Sequence, residues 1–131
     1  MKGLMVACMI VAIGVLGISA GTIADYLAEM TGYLSQAGTV ATLAADGKLS
    51  RSTAVSRLAS LTELAEECFY QAATSGATTR LDAKILYLCA AASLSIRLAY
   101  EGYRDYSPDQ VKAAAQLNKL IQTLVDEYLG R

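Results

Sequence analysis

The 131-residue chain contains no histidine and no tryptophan, a single proline, and few charged residues. Without histidine it lacks the most common general base and the most common zinc ligand of proteins. Charged residues make up 18% of the chain, whereas ordinary soluble domains carry about 25%. The formal net charge is −1 and no cluster of lysine and arginine occurs, so the basic surface typical of a nucleic-acid-binding protein is missing. We therefore predict an all-α protein without enzymatic activity, cofactor or metal site.

The longest uncharged run covers residues 3–24, at the start of the chain. As a helix it would be about 33 Å long, enough to cross a hydrocarbon core of about 30 Å. Tyr26 and Tyr33 follow the run, and their amphipathic rings favour a membrane–water interface. The sequence thus predicts a single-pass membrane helix over residues 1–34. Because Lys2 precedes the run and acidic residues follow it, we expect a cytoplasmic N-terminus and an extracytoplasmic remainder.

A cleaved signal peptide is the alternative interpretation of this run. Residues 18–20, Ile-Ser-Ala, are a passable cleavage site before Gly21, and cleavage there would release a periplasmic or secreted protein. However, the apolar run continues beyond this point to Ala24, as an uncleaved anchor would. We favour the anchor.

Small side chains recur along one face of the predicted membrane helix. They form a seam at heptad spacing that contains Ala7, Gly14, Gly17, Gly21 and Ala24. Lipid tails give helices no hydrophobic reason to associate, so close backbone approach along such a seam drives their packing. The GxxxG motif within it also occurs by chance in glycine-rich membrane helices and in signal peptides. We interpret the seam as a site of self-association or of packing on another membrane protein subunit.

The remaining sequence predicts a hinge over residues 35–49 and a three-helix bundle over residues 50–131. Serine, glycine and an Asp-Gly pair are typical of a flexible connection. Apolar residues at helical spacing, separated by stop signals, predict helices over about residues 50–73, 79–103 and 108–129. The middle helix has no charge over residues 85–96. At about 18 Å this stretch is too short to span a bilayer, so we expect a central helix flanked on both sides.

Capping residues mark the starts of these three helices. Ser50 or Ser52 is placed to cap the first of them. Thr79 and Asp82 have the spacing of a capping box before the second. Ser107 stands directly before the single proline of the chain, which suits the first position of a helix.

Two cysteines are predicted to face each other within the bundle. Cys68 and Cys89 lie at similar distances on either side of the turn between two antiparallel helices. In an oxidising compartment a disulfide here would stabilise the fold by about 3 kcal/mol. The alternative is a pair of buried free thiols.

Two groups of polar side chains are candidates for a further role. Glu63, Glu66 and Glu67 lie close together in sequence. Glu63 and Glu67, one helical turn apart, could share a cation or a proton, although such a run is more often a solvated helix face. Arg97 and Glu101 have the spacing of an ion pair within one helix.

A cluster of tyrosines predicts a protein interface at the end of the middle bundle helix. Tyr100, Tyr103 and Tyr106 recur every three residues and are interleaved with charged residues that include Arg104. Exposed tyrosine beside arginine is typical of an interface core. Alternatively, the rings cover the open end of the bundle and leave their hydroxyls in water.

Together these features predict a membrane-anchored structural or accessory subunit of a cell-envelope or virion assembly. Its expected partners are membrane lipid and either further copies of itself or other membrane protein subunits, and we expect neither nucleic acid nor a small-molecule substrate. One alternative is a secreted or periplasmic helical adaptor or inhibitor. A second alternative is a protein that forms a pore or conduit in a membrane.

Overall fold

The structure, a computed structural model, describes residues 23–129, and this part of the chain is all-α. Four helices follow one another: α1 (Ile23–Ala45), α2 (Arg51–Ala73), α3 (Arg80–Arg104) and α4 (Pro108–Leu129). The predicted all-α class is therefore confirmed for the described residues. The predicted bounds of the last three helices agree with the structure to within one residue.

Local side-chain hydrogen bonds start the three later helices. Ser50 caps α2, since its hydroxyl accepts from a backbone N–H of the first turn at 3.2 Å. Thr79 and Asp82 form the predicted capping box of α3, in which each side chain accepts from the backbone N–H of the other residue. The hydroxyl of Ser107 accepts from a backbone N–H in the first turn of α4 at 3.4 Å. These bonds satisfy N–H groups that have no partner within the helix.

The apolar faces of the helices meet in one core around α3. This helix contacts α1, α2 and α4, and α1 also packs along α2. The largest fully buried apolar side chains come from all four helices: Leu27, Met30, Leu34, Leu58, Ile96, Ile121 and Val125. Among the described residues, α3 is the one helix whose length and composition would allow it to cross a membrane. Of the 18-residue apolar stretch that meets these criteria, 44% is buried inside the bundle. A core helix meets the same two criteria.

Helix α1 extends through most of the segment predicted as a hinge. The structure has continuous helix to Ala45, so the prediction of a flexible connection over residues 35–45 is corrected. Leu34, Ala37 and Val40 are buried at helical spacing, and Asn118 of α4 donates a hydrogen bond to the carbonyl of Leu34 at 2.9 Å. This tertiary packing outweighs the weak helix propensity of the serine and glycine nearby. Only the short connection at residues 46–50 lies between the two helices.

The predicted membrane helix lies mostly outside the described residues. The seam positions Ala7, Gly14, Gly17 and Gly21 fall there, whereas Ala24 is exposed at the start of α1. Residues 23–34, predicted as part of this membrane helix, instead form the first half of α1 and bury one face in the bundle. The described bundle therefore contains four helices and not the predicted three.

The two core cysteines are free thiols, so the predicted disulfide is not present in the structure. Cys68 and Cys89 are both buried, and the thiol of Cys68 donates to the carbonyl of Tyr26 at 3.4 Å. Burial raises the pKa of Cys89 to about 12. Burial, followed by the negative charge of Glu29, also raises the pKa of Cys68 well above its ordinary value. Bridging in an oxidising compartment stays a prediction.

We expect both core thiols to react very slowly with a thiol reagent while the protein is folded. The thiolate is the reactive form, and with a pKa of about 12 only on the order of one Cys89 in ten thousand is ionised at pH 8. Reaction should accelerate on unfolding or as the pH approaches 12. A Cys8→Ser variant, which leaves only these two thiols, should show two slow thiols when folded and two fast ones in denaturant. If both thiols of the folded variant reacted fast, the buried packing of the two cysteines would be contradicted. If no thiol reacted in denaturant, the two cysteines would be joined in a disulfide.

Candidate functional site

An open groove lies at the end of the bundle where α1 and α3 end and α2 and α4 begin. Its volume is about 540 Å³, within the range of about 300–1,000 Å³ that is usual for binding sites. Most of the lining is apolar or small, and all four helices contribute: Ala41, Thr42, Ala45, Arg51, Gly102, Tyr103, Tyr106, Ser107, Pro108, Val111, Lys112 and Ala115.

Small residues create the groove by bringing helices together without filling the space between them. The alanines of the last turns of α1 form one wall. At Gly102, α3 touches the start of α4 so closely that a Cβ atom would lie 2.8 Å from Cγ2 of Val111 and 3.0 Å from its backbone nitrogen. This contact determines where Pro108 and Val111 lie in the opposite wall.

Arg51, the first residue of α2, connects α2 to the end of α3 by hydrogen bonds. Its Nη1 donates to the backbone carbonyl of Tyr103 at 2.7 Å, and its Nη2 donates to the hydroxyl of Tyr106 at 2.6 Å. The guanidinium also lies over the Tyr106 ring, 3.8 Å from the ring centre. Arg51 thereby satisfies a carbonyl in the last turn of α3, where helices lack internal donors.

Tyr106 adopts a left-handed backbone conformation, with φ at 56°. Such a conformation is strained for a residue that carries a side chain and costs on the order of 1 kcal/mol or more. The ring is 71% exposed, so burial does not hold it there. The left-handed turn lets the Ser107 N–H donate to the Gly102 carbonyl at 2.8 Å, as at many helix C-termini. The contacts with Arg51 keep the ring at the edge of the groove.

Both charged side chains that line the groove are cations. Arg51 and Lys112 line it, and none of its lining residues is acidic. Lys112 is exposed and forms no ion pair with another residue of the described range. Two helix N-termini and two helix C-termini meet at this end, and their partial charges oppose one another. Asp46, Asp105 and Asp109 lie next to lining residues in the chain, so the excess of cations is a property of the lining alone.

Two of the four residues predicted to form an interface line the groove. Tyr103 is half-buried and donates from its hydroxyl to the carbonyl of Ala41 at 3.2 Å, and Tyr106 lies at the edge. Tyr100 and Arg104 are not part of the lining. The Arg104 guanidinium lies 5.2 Å from the Tyr100 ring centre and pairs with the neighbouring Asp105 at 2.8 Å. The interface role of all four stays a prediction.

Sequence patterns did not point to the cations of the groove. Arg51 is 52 residues away from the Tyr103 carbonyl that it binds, and Lys112 is one of two lysines on an amphipathic helix. Nothing in their local sequence distinguishes them from other surface cations. The capping signals that predict the starts of α2 and α4 would place both residues near helix N-termini, but only the packing of the helices places them in one groove.

The glutamate run of α2 lies on an exposed face. Glu63, Glu66 and Glu67 are exposed, and Glu66 pairs with Arg97 of α3 at 2.6 Å. Arg97 also approaches Glu101 at 3.8 Å, the pair expected from their spacing. Within residues 23–129, no group of three or more acidic or cysteine side chains is arranged to hold a metal ion.

No protein-family model matches this chain, and no curated protein or solved structure matches it either. The chemistry of the groove is therefore the basis for inferring what the protein binds. Its apolar walls accommodate a bulky hydrophobic group, and its two cations favour an anion beside that group.

Proposed function

We propose that the protein is a membrane-anchored, non-enzymatic subunit of a cell-envelope or virion assembly, and that the groove binds a partner protein. The observation that carries the proposal is the combination of apolar walls with two cations and no acidic lining residue. The favoured partner segment has a bulky apolar side chain next to a carboxylate. Tyrosine and arginine are also the residue types that contribute most to binding at interfaces.

The position of the groove supports this role. The uncharged run over residues 3–24 enters α1 at its beginning, whereas the groove lies beside Ala41 and Ala45 at the end of the same helix. At 1.5 Å per residue the two are separated by about 30 Å. If the run spans a bilayer, the groove lies away from the membrane and is accessible to other subunits.

The two cationic side chains of the groove favour an anionic partner, and Arg51 is preorganised to bind one. The Arg51 guanidinium has five N–H donors, and its bonds to Tyr103 and Tyr106 use two of them. Its orientation is already set by these bonds, so little conformational entropy is lost when a carboxylate binds. Lys112, on the opposite wall, adds a second charge.

The membrane anchor is tested by extraction of the full-length protein from native membranes with alkaline carbonate. We expect the protein to stay in the pellet with an intact mass that includes residues 1–20. Replacing Val11 and Val15 with lysine should release it, because each lysine at the centre of a membrane helix costs about 3 kcal/mol. A mature protein that starts near Gly21 and is soluble would support the secreted alternative instead.

The groove is tested by photo-cross-linking in native membranes. A photoreactive residue at Ala115, which lines the groove, should cross-link to a partner, whereas the same residue at Ala113 should not. Both alanines are exposed on α4, so the pair is matched for residue type and helix. A cross-link to a second copy of the chain would identify the partner as the protein itself.

Charge reversal at Lys112 completes this test. Lys112→Glu should greatly reduce the Ala115 cross-link and leave thermal stability unchanged, since Lys112 is exposed and lies outside every ion pair found in residues 23–129. Equal cross-linking at Ala115 and Ala113, or a cross-link that is insensitive to Lys112→Glu, would contradict a role for the groove.

A further inference from the structure

We propose that the bundle stands end-on upon the bilayer, with Leu81 inserted into the lipid headgroup region and Tyr70 and Tyr128 beside it. The proposal rests on the membrane anchor of the proposed function and adds a second contact with the same membrane. It concerns the end of the bundle opposite the groove.

The first observation is the lack of a spacer between the apolar run and the bundle. The uncharged run extends to Ala24, and α1 already includes Ile23. Spanning a core of about 30 Å takes about 20 residues, which leaves few residues of the run outside the hydrocarbon. Because Leu27, four residues after Ile23, is fully buried in the bundle core, the bundle itself has to begin at the membrane surface.

The second observation is that the connection between α2 and α3 lies beside the start of α1. Ile23 and Ala24 line a surface pocket together with Gly76, Ala77 and Leu81. Leu81 therefore lies next to the point at which the apolar run enters the bundle, and 53% of its surface is exposed.

The third observation is the distribution of exposed large apolar side chains. Seven are found among the described residues. Three of them, Tyr70, Leu81 and Tyr128, lie within one turn of a helix terminus at this end, and Tyr87 lies six residues beyond Leu81 in α3. Tyr70 lies one turn before the end of α2, and Tyr128 lies in the last turn of α4. Leu94 and Leu120 lie further along the bundle, and Tyr106 lies at the groove. Tyrosine is enriched at membrane interfaces because its ring is apolar and its hydroxyl is polar.

Charge at this end favours a zwitterionic rather than an anionic membrane surface. Among the described residues near this end, the acidic ones, Asp25, Asp82, Asp126 and Glu127, outnumber the basic ones, Arg80 and Lys84. A net negative surface is repelled by anionic lipid. The contact is therefore apolar and interfacial, and we expect it with phosphatidylcholine alone.

The absence of tryptophan from the chain permits a direct test. Leu81→Trp and Leu94→Trp each introduce a single fluorescent reporter into the full-length protein. The two leucines are on α3, are 53% and 51% exposed, and are separated by about 20 Å along the helix. The two positions differ mainly in their distance from the proposed membrane surface.

The variants are reconstituted into phosphatidylcholine vesicles with and without brominated acyl chains, which quench only tryptophans at the membrane. We expect Leu81→Trp to be quenched at least threefold more strongly than Leu94→Trp and to emit at shorter wavelength. Equal quenching, or no quenching of either reporter in protein that stays with the vesicles in carbonate, would overturn the end-on contact while leaving the anchor intact. Protein that does not stay with the vesicles would overturn the anchor, and the contact with it.

Discussion

Replacing Leu34 with alanine is expected to lower the free energy of unfolding by about 2–5 kcal/mol. Leu34 is fully buried in α1 and belongs to the common core. Truncation removes its apolar contacts and leaves a cavity that the surrounding helices cannot fully close. Chemical denaturation of the full-length protein in detergent, followed by circular dichroism, measures the change.

The matched control for Leu34 is its exposed neighbour Ser35. Ser35→Ala should change stability by no more than about 0.5 kcal/mol, because only the backbone carbonyl of Ser35 accepts a hydrogen bond, from Thr39. If α1 were merely a membrane anchor connected by a hinge, both variants would unfold like the unmodified protein. A large loss at Leu34 alone would show that α1 is part of the folded bundle.

Gly102→Val should destabilise the protein by about 3 kcal/mol and also disturb the groove. A Cβ at residue 102 would stand 3.0 Å from the backbone nitrogen of Val111 as well as 2.8 Å from its side chain. A flexible side-chain tip would move aside, but the backbone of α4 moves only if the helix shifts. Stability is measured by denaturation, and the groove by cross-linking from Ala115.

Gly32→Val is the control for this substitution. Gly32 is exposed within α1, and a Cβ atom added there would have no atom of another helix within 4 Å. Valine has a better helix propensity than glycine, so a gain of a few tenths of a kcal/mol is expected. Equal stability changes at the two glycines would show that the contact between α3 and α4 is looser than the structure indicates.

The proposed function assigns different tasks to the two ends of one rigid bundle. One end carries exposed apolar side chains beside the apolar run, and the other carries the groove lined by Arg51 and Lys112. α1 connects the two over its 23 residues. A hinge over residues 35–45 would have let the two ends of the bundle move relative to one another, whereas a continuous packed helix holds them at a set distance.

Local sequence was sufficient to predict the secondary structure of the last three helices. Ser50, Thr79 and Ser107 accept hydrogen bonds from backbone groups within the next three residues. Such interactions involve only neighbours in the chain, so they can be read without knowing the fold. The i, i+4 spacing of Arg97 and Glu101 is a similar case.

Tertiary structure decided the state of residues 35–45 and the composition of the groove. Serine and glycine there favour a flexible connection by propensity, but burial of Ala37 and Val40 and the bond from Asn118 of α4 hold the segment helical. Likewise, Arg51 meets Tyr103 and Tyr106 only because α2 begins where α3 ends. Sequence by itself determined where helices start and which faces are apolar, since these depend on near neighbours. Contacts between residues more than fifty positions apart depend on how the helices pack, and that is decided only when the whole core forms.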